Sequence, residues 1–160
     1  MSVQVAVVMG SKSDLDDVKE TLQILEDFGI EYEAKILSAH RTPDETIAYA
    51  RAAYERGLKV IIAAAGGAAH LAGVIAGCQT LPVIGIPMKT KTLDGLDSLL
   101  SIVQMPAGVP VATVAVGKAG CKNAAVLAAT IIGAFDQSMH DKIVKYKEDM
   151  KNKVLESTID

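Results

Sequence analysis

Short, wholly apolar runs alternate along the chain with segments whose apolar residues recur every three or four positions. Val5-Ala6-Val7-Val8-Met9 is such a run, ended by Gly10, as expected of a strand buried on both faces. Leu15, Val18, Leu22, Leu25 and Phe28 then fall at helical spacing, and Gly29 closes the segment. Tyr32 to Leu37 is the second expected strand. Thr42-Pro43-Asp44-Glu45 predicts a helix start, with Thr42 as N-cap, Pro43 at the first helical position and Glu45 completing a capping box. That helix runs to about Arg56, where Gly57 stops it. Val60 to Ala64, Pro82 to Ile86 and Val111 to Val116 supply three more strands, with helices over Ala68 to Cys78 and Leu93 to Val103. In the second of these helices Leu96, Leu99, Leu100 and Val103 are expected to face inward. Asn123 to Phe135 is apolar almost all round, which marks a helix central to the domain or buried between subunits. Gln137 to Leu155 carries Met139, Ile143, Tyr146, Met150 and Val154 on one stripe. That stripe fits packing on its own domain or on another subunit, and residues 137–160 are expected to form a helical tail that reaches a neighbouring subunit.

Five apolar strands alternating with helices imply an α/β fold: a five-stranded parallel sheet covered on both faces by right-handed crossovers. Ligands of such sheets bind outside the carboxyl ends of the strands, near the point where strand order reverses. The 160 residues suffice for one domain with a real core, and no linker or low-complexity segment divides them. Aromatic residues are only 4% of the chain, Trp is absent, and alanine is the most abundant residue beside 13 glycines. A core of small side chains buries less area per residue, so association between subunits is expected to supplement it. A net charge of −3, with no basic stripe interleaved with aromatics, argues against nucleic acid as a partner. Cys78 and Cys121 lie far apart, match no metal-ligand spacing, and read as small buried hydrophobes in a reducing compartment. The opening Met1-Ser2-Val3-Gln4 lacks the features of a signal peptide, so a cytoplasmic protein is expected. Val60 to Cys78 carries no formal charge with His70 neutral, but Gly66-Gly67 interrupts it. A buried strand, a glycine turn and a tightly packed helix fit it better than a membrane span.

The chemistry is therefore sought in the loops that follow the strands. Gly10-Ser11-Lys12-Ser13-Asp14 follows the first strand and leads into a helix whose free N–H groups favour an anion such as phosphate. The competing reading is that Ser13 caps that helix in a capping box with Asp16. The loop lacks the spaced glycines and Gly-Lys-Ser/Thr ending of a P-loop. Asp14 suits the hydroxyl groups of a sugar. Leu37-Ser38-Ala39-His40-Arg41-Thr42-Pro43 places an imidazole, which moves protons near neutral pH, beside a guanidinium that grips phosphate with a fork of donors. Ala65-Gly66-Gly67-Ala68-Ala69-His70-Leu71 has almost no side chains. A flat ring or small neutral molecule could lie against such a surface. The alternatives are close helix–strand packing for the glycines and a satisfied core histidine for His70. His140, on the tail, reads as structural. Met88-Lys89-Thr90-Lys91-Thr92 and Gly117-Lys118-Ala119-Gly120 could add cover or charge, and Ser101 to Pro106 could reach a neighbour's site, although all three also read as solvated loops. No metal-ligand set, catalytic triad order or nucleotide glycine fingerprint stands out.

Taken in order, Gly10-Ser11-Lys12-Ser13-Asp14, Ser38-Ala39-His40-Arg41-Thr42-Pro43, Ala65-Gly66-Gly67-Ala68-Ala69-His70-Leu71 and Ser101-Ile102-Val103-Gln104-Met105-Pro106 resemble the bacterial-type N5-carboxyaminoimidazole ribonucleotide mutases of purine biosynthesis, in the AIR carboxylase family. The likeness runs from about Val5 to Phe135. It implies a flavodoxin-like three-layer αβα sandwich assembled as a homo-octamer, with sites shared between subunits and neither metal nor organic cofactor. It also implies a small-molecule substrate, an aminoimidazole ribonucleotide carbamate, whose carboxylate moves without ATP from the exocyclic nitrogen to ring carbon C4 through enzyme-held CO2. His40 would carry the proton movements. By the resemblance and the loop chemistry together, Ser11 and Arg41 would bind the 5′-phosphate with Ser13 nearby, and Asp14 the ribose hydroxyls. Gly66, Gly67 and His70 would line the base and CO2 region. A direct carboxylase using free CO2 is the nearest alternative, but its segments resemble Ser-Ala-His-Lys and a different glycine loop. A non-catalytic flavodoxin-like module fits less well. A phospho-receiver wants acidic strand ends where this chain has Gly10-Ser11 and His40-Arg41, and a flavin carrier wants aromatics.

Overall fold

A computed structural model of the chain describes residues 2–159. Its elements follow in the order β1 (Val5–Met9), α1 (Leu15–Phe28), β2 (Tyr32–Ile36), α2 (Pro43–Ala52), β3 (Val60–Ala65), α3 (Leu71–Cys78), β4 (Val83–Pro87), α4 (Leu96–Val103), β5 (Ala112–Thr113), α5 (Lys118–Gly133) and α6 (Gln137–Leu155). All five strands are parallel and lie in the order β2-β1-β3-β4-β5. This is the flavodoxin-like arrangement, with strand order reversing between β1 and β3.

The apolar strand runs sort by alternation onto two cores. Val5, Val7, Met9, Val60, Ile62, Ala64, Ile84 and Ile86 face α1 and α5. Ala6, Val8, Ile61, Ala63 and Val83 face the layer that contains α2, α3 and α4. β1, β3 and β4 are buried throughout, which explains why they read as continuous hydrophobic runs rather than alternating ones. β2 is an edge strand, and its exposed carboxyl half carries the Lys35 and Ile36 positions. β5 is shorter than Val111 to Val116 would suggest. Its ladder ends at Thr113, although Val114 N–H still reaches the Gly85 carbonyl at 3.1 Å and Gly117 N–H the Pro87 carbonyl at 2.8 Å.

Several local expectations are corrected by where hydrogen bonds go. The Thr42 hydroxyl does not cap α2. It accepts from Ser38 N–H at 2.9 Å and donates to the Ser38 carbonyl at 3.0 Å, closing the preceding loop instead. α2 then ends at Ala52, short of Arg56, and turns lead to Gly57 in a left-handed conformation. Before α1 a 3-10 turn spans Lys12–Asp14, and Ser11, not Ser13, caps that turn by accepting from Ser13 N–H at 3.3 Å. α4 departs furthest. Ser98 and Ile102 face the interior, while Leu96, Leu100 and Val103 are about half exposed on the opposite side. Leu96, Leu100 and Val103 lie at i, i+4 and i+7, so the apolar stripe is real, but it faces away from the sheet.

α5 is central to its own domain. One face, from Gly120 and Cys121 through Ala124, Ala125, Ala128 and Ala129 to Gly133, is buried against the sheet, α1 and α6. Glycine at 120 has a specific reason. A Cβ there would overlap the Ala115 carbonyl, so the helix start can approach this segment only without a side chain. Cys121 is fully buried, and burial pushes its thiol up to about 11, as fits an inert packing residue. In α6, Met139 and Ile143 are buried, Tyr146 packs on Phe28 with ring centroids 5.4 Å apart, and the Lys142 ammonium donates to the Phe28 carbonyl at 2.6 Å. The first half of the tail thus packs on its own domain. Its second half leaves Met150, Val154 and Leu155 exposed. Among the described residues no helix is long and apolar enough to cross a membrane.

Two glycine replacements separate packing from propensity. Gly120→Ala should cost about 2 kcal/mol or more, because overpacking against backbone cannot be relieved by a rotamer change. Gly77→Ala, in α3 with open space around its Cβ position, should gain about 0.5–1 kcal/mol from helix propensity. Urea unfolding of the two variants checks both signs.

Candidate functional site

The loops leaving β1 and β3 diverge because α1 lies on one face of the sheet and α3 on the other. A cavity of about 450 Å³ opens between them at the carboxyl ends of the strands. The first loop contributes Gly10, Ser11, Ser13 and Asp14 to it, the second Ser38, Ala39, His40 and Arg41, the third Gly66, Ala68 and His70. Met88, Lys89 and Thr90, after β4, complete the wall.

Arg41 ties the first two loops together. Its guanidinium donates to the Gly10 carbonyl at 2.7 Å, and its Nε and backbone N–H reach the Ser38 hydroxyl at 3.3 and 3.2 Å. The Ser13 hydroxyl donates to the Ser11 hydroxyl at 2.9 Å, and both serines line the cavity beside Gly10, whose carbonyl holds Arg41. That combination of a fixed cation and small donors suits a phosphate. Burial raises the Asp14 carboxyl above the usual carboxylate range, and Asp17 adds to this. Ser11 N–H donation and the nearby Arg41 charge pull the other way.

His40 and His70, from different loops, meet directly. His40 Nε2 lies 2.8 Å from His70 Nδ1, and the rings stand edge to face with centroids 4.8 Å apart. One ring must donate and the other accept, so the pair shares one proton and cannot keep this bond with both rings fully protonated. His70 is exposed to the cavity and is not a satisfied core histidine.

The third loop divides its two glycines between different tasks. Gly67 has φ +71, a backbone conformation that L side chains rarely adopt. It stands behind the wall, where its N–H donates to the Ser98 hydroxyl at 2.9 Å and its carbonyl accepts from Ala69 N–H at 2.8 Å, with the Ser101 hydroxyl 3.2 Å away. A Cβ at Gly66 would meet Met88, Thr90 and Ser98 only at ordinary contact distances of 3.5 to 3.7 Å, so this glycine keeps the wall bare and is not demanded by packing. Sequence reasoning missed Ser98. Its one signal is that it and Ser101 interrupt the leucines of α4. The Ser101 hydroxyl donates to the Asp97 carbonyl at 2.8 Å. The Gly117 to Gly120 segment starts α5, where Lys118 pairs with Glu20 at 2.7 Å, and does not line the cavity. Among the described residues no three His, Cys, Asp or Glu gather as metal ligands.

The family model described as AIR carboxylase matches residues 4–153. The chain belongs to the AIR carboxylase family. It is 57% identical over 157 residues to the N5-carboxyaminoimidazole ribonucleotide mutase of Saccharolobus solfataricus, an alignment covering 98% of each chain. It is 59% identical over 153 residues to the mutase of the same name from Thermotoga maritima, covering 96% of this chain and 88% of that one. The crystal structure of Treponema denticola PurE superposes with a TM-score of 0.86 at 32% identity, covering 96% of this chain and 94% of that one. Within an AIR carboxylase family fold, the cavity at the strand reversal therefore combines Ser11, Ser13 and Arg41 with a carboxylate and a histidine pair.

Asp14→Asn tests the carboxylate directly. The variant should raise KM for a ribonucleotide about 10-fold with kcat changed little, the loss expected for one charge-assisted hydrogen bond. Because the Asp14 carboxyl is raised, its contribution should fade as pH falls, at a higher pH than for an ordinary carboxylate. Steady-state kinetics of both proteins across the acid limb check the sign.

Proposed function

We propose that this protein is an ATP-independent mutase that converts N5-carboxyaminoimidazole ribonucleotide to 4-carboxy-5-aminoimidazole ribonucleotide in de novo purine biosynthesis. Curated relatives at 57% and 59% identity, aligned over nearly the whole chain, carry that activity in their names. The observation that carries the mechanism is the His40–His70 pair facing a cavity that Ser11 and Arg41 also line.

In this reading the 5′-phosphate sits against Ser11, Ser13 and Arg41, and Asp14 accepts from the ribose hydroxyls. The ring then lies across Gly66 toward the two histidines. Protonated His40 donates to the carbamate nitrogen, the N–C bond breaks, and CO2 leaves the aminoimidazole with a neutral amine. C4 attacks the CO2 carbon, and His40, now neutral, removes the C4 proton as the new carboxylate forms. The amine keeps the proton that His40 gave, the C4 proton restores His40, and the carboxylate stays in the product, so the reaction is an isomerisation. One group serves as acid and then base because imidazole holds and releases a proton near neutral pH. His70 accepts or donates the shared proton and fixes the His40 ring. Confinement keeps the CO2 at an effective concentration that bulk solvent cannot match.

The exposed Leu96, Leu100 and Val103 on α4, with Met150, Val154 and Leu155 on α6, support assembly into a homo-octamer whose tails reach neighbouring subunits. The same reading places the enzyme in the cytoplasm, where purine precursors are made.

His40→Asn should lower turnover by about 10³-fold or more while folding stays intact, since the residue is in a loop and exposed. Arg41→Ala should raise KM about 10-fold or more with a smaller effect on kcat. The reaction itself is tested by giving the enzyme the carbamate without ATP, and separately aminoimidazole ribonucleotide with bicarbonate at low CO2. The mutase uses the first efficiently and the second poorly. The reverse order identifies a direct carboxylase, and no conversion in either identifies a binding module.

A further inference from the structure

Three polar residues are fully buried among those described: Thr21, Thr46 and Ser98. The first two are spent on the protein's own helices, Thr21 donating to the Cys121 carbonyl and Thr46 to the Thr42 carbonyl. Ser98 alone reaches the site. Its hydroxyl donates to the Met88 carbonyl at 2.7 Å and accepts from Gly67 N–H at 2.9 Å, so one buried atom joins the loops after β3 and β4. One turn later on the same helix, the Ser101 hydroxyl donates to the Asp97 carbonyl at 2.8 Å and lies 3.2 Å from the Gly67 carbonyl, a weaker second contact. The N–H of Gly67, a residue held at φ +71, is thus pinned by α4, while its carbonyl accepts from Ala69 N–H at 2.8 Å within the turn.

This pinning matters because the wall has no side chains of its own. From Ala65 to Ala69 nothing larger than a methyl group projects, and the surface facing the cavity is the backbone itself. The shape of that wall is the conformation of the Gly66–Gly67 peptide. A glycine pair with free N–H and carbonyl groups rotates readily, and two glycines in sequence leave sterics with little hold on it. The serine hydroxyls supply what side-chain sterics do not. Removing the Ser98 hydroxyl leaves the part-buried Gly67 N–H and the buried Met88 carbonyl without these partners, which favours rotation of the turn toward other donors and acceptors.

We propose that Ser98, assisted by Ser101, is a positioning residue that holds the glycine turn as the wall confining CO2 beside the imidazole ring. The proposal rests on the mutase reading. It assigns Ser98 no contact with substrate; the residue acts through Gly67 and Met88. Its consequence is specific: loss of the hydroxyl makes the site leak. Carbamate cleavage still occurs, because His40, the proton donor, is carried by the separate loop after β2, but CO2 escapes before C4 captures it. The leak is balanced, since the carbamate and one proton become aminoimidazole ribonucleotide and CO2.

The test follows the carboxyl carbon. Carbamate labelled with ¹³C in the carboxyl group is supplied to the full-length enzyme in unlabelled bicarbonate, with a no-enzyme control for spontaneous loss. The wild type should retain the label in the 4-carboxy product. Ser98→Ala should form that product about tenfold more slowly, release aminoimidazole ribonucleotide, and lose label to the pool severalfold more than wild type. Ser101→Ala, which removes one carbonyl contact, should leak less than Ser98→Ala but more than wild type, and it carries the test should Ser98→Ala not fold. Ile102→Val is the control for stability alone, since Ile102 is fully buried on the same helix and packs near Gly85, away from Gly67. It should lower the unfolding temperature without changing label retention. Full label retention in a folded Ser98→Ala or in Ser101→Ala overturns the proposal, as does equal leakage from Ile102→Val. A wild type that makes no 4-carboxy product from the carbamate instead overturns the mutase reading.

Discussion

The site exists because right-handed crossovers cannot lie on one face when a parallel sheet grows outward in both directions from its first strand. The chain leaves β1 over one face to reach β2, then returns along the other face to β3 and continues to β4. The neighbouring strands β1 and β3 therefore send their loops apart, and a crevice opens between Gly10 and Gly66. What fills that crevice comes from three loops that are far apart in sequence. Arg41 closes the distance on one side by holding the Gly10 carbonyl, and His70 closes it on the other by holding His40. The same two contacts place a cation and a histidine pair on the wall of one cavity.

Small residues make this geometry possible in two places. At the start of α5 the helix lies so close to the Ala115 backbone that only glycine fits, and an alanine face continues that close packing along the sheet. At the end of β3 the same economy of side chains produces a bare wall. A bare wall is also a weakly determined one, and the structure answers this with hydroxyls from α4 behind it. The outer face of that helix is apolar and exposed. The octamer proposed above would cover that face and so bear on the position of Ser98.

Much of this was legible in the residue pattern. The runs Val5–Met9 and Val60–Ala65, buried on both faces, and the helical spacing from Leu15 to Phe28 with Gly29 as its stop, are local signals that tertiary context left intact. The loop residues Ser11, Ser13, Asp14, His40, Arg41, Gly66 and His70 all line one cavity, because strand-end position in a parallel sheet brings them together whatever else they do. The misses share a physical cause. Thr42 has the pattern of a helix cap, but a hydroxyl takes whichever backbone partner is nearest, and here that is Ser38. The leucines of α4 define an apolar face without saying whether the domain or a neighbour covers it. Ser98 is buried because two carbonyl and amide groups await it there, and those come from loops that periodicity does not see. Gly67 was read as part of the wall, whereas its left-handed backbone serves the turn behind it.

The central claim is that this crevice orients a ribonucleotide with its phosphate at one end and its reacting carbon at the histidine pair. A crystal structure of the protein with aminoimidazole ribonucleotide bound tests it most directly. The phosphate should lie within hydrogen-bonding distance of Ser11 and the Arg41 guanidinium, the ribose hydroxyls on Asp14, and C4 beside His40 with the ring across Gly66. A phosphate held at the His40–His70 end, or a C4 turned away from His40, would contradict the account.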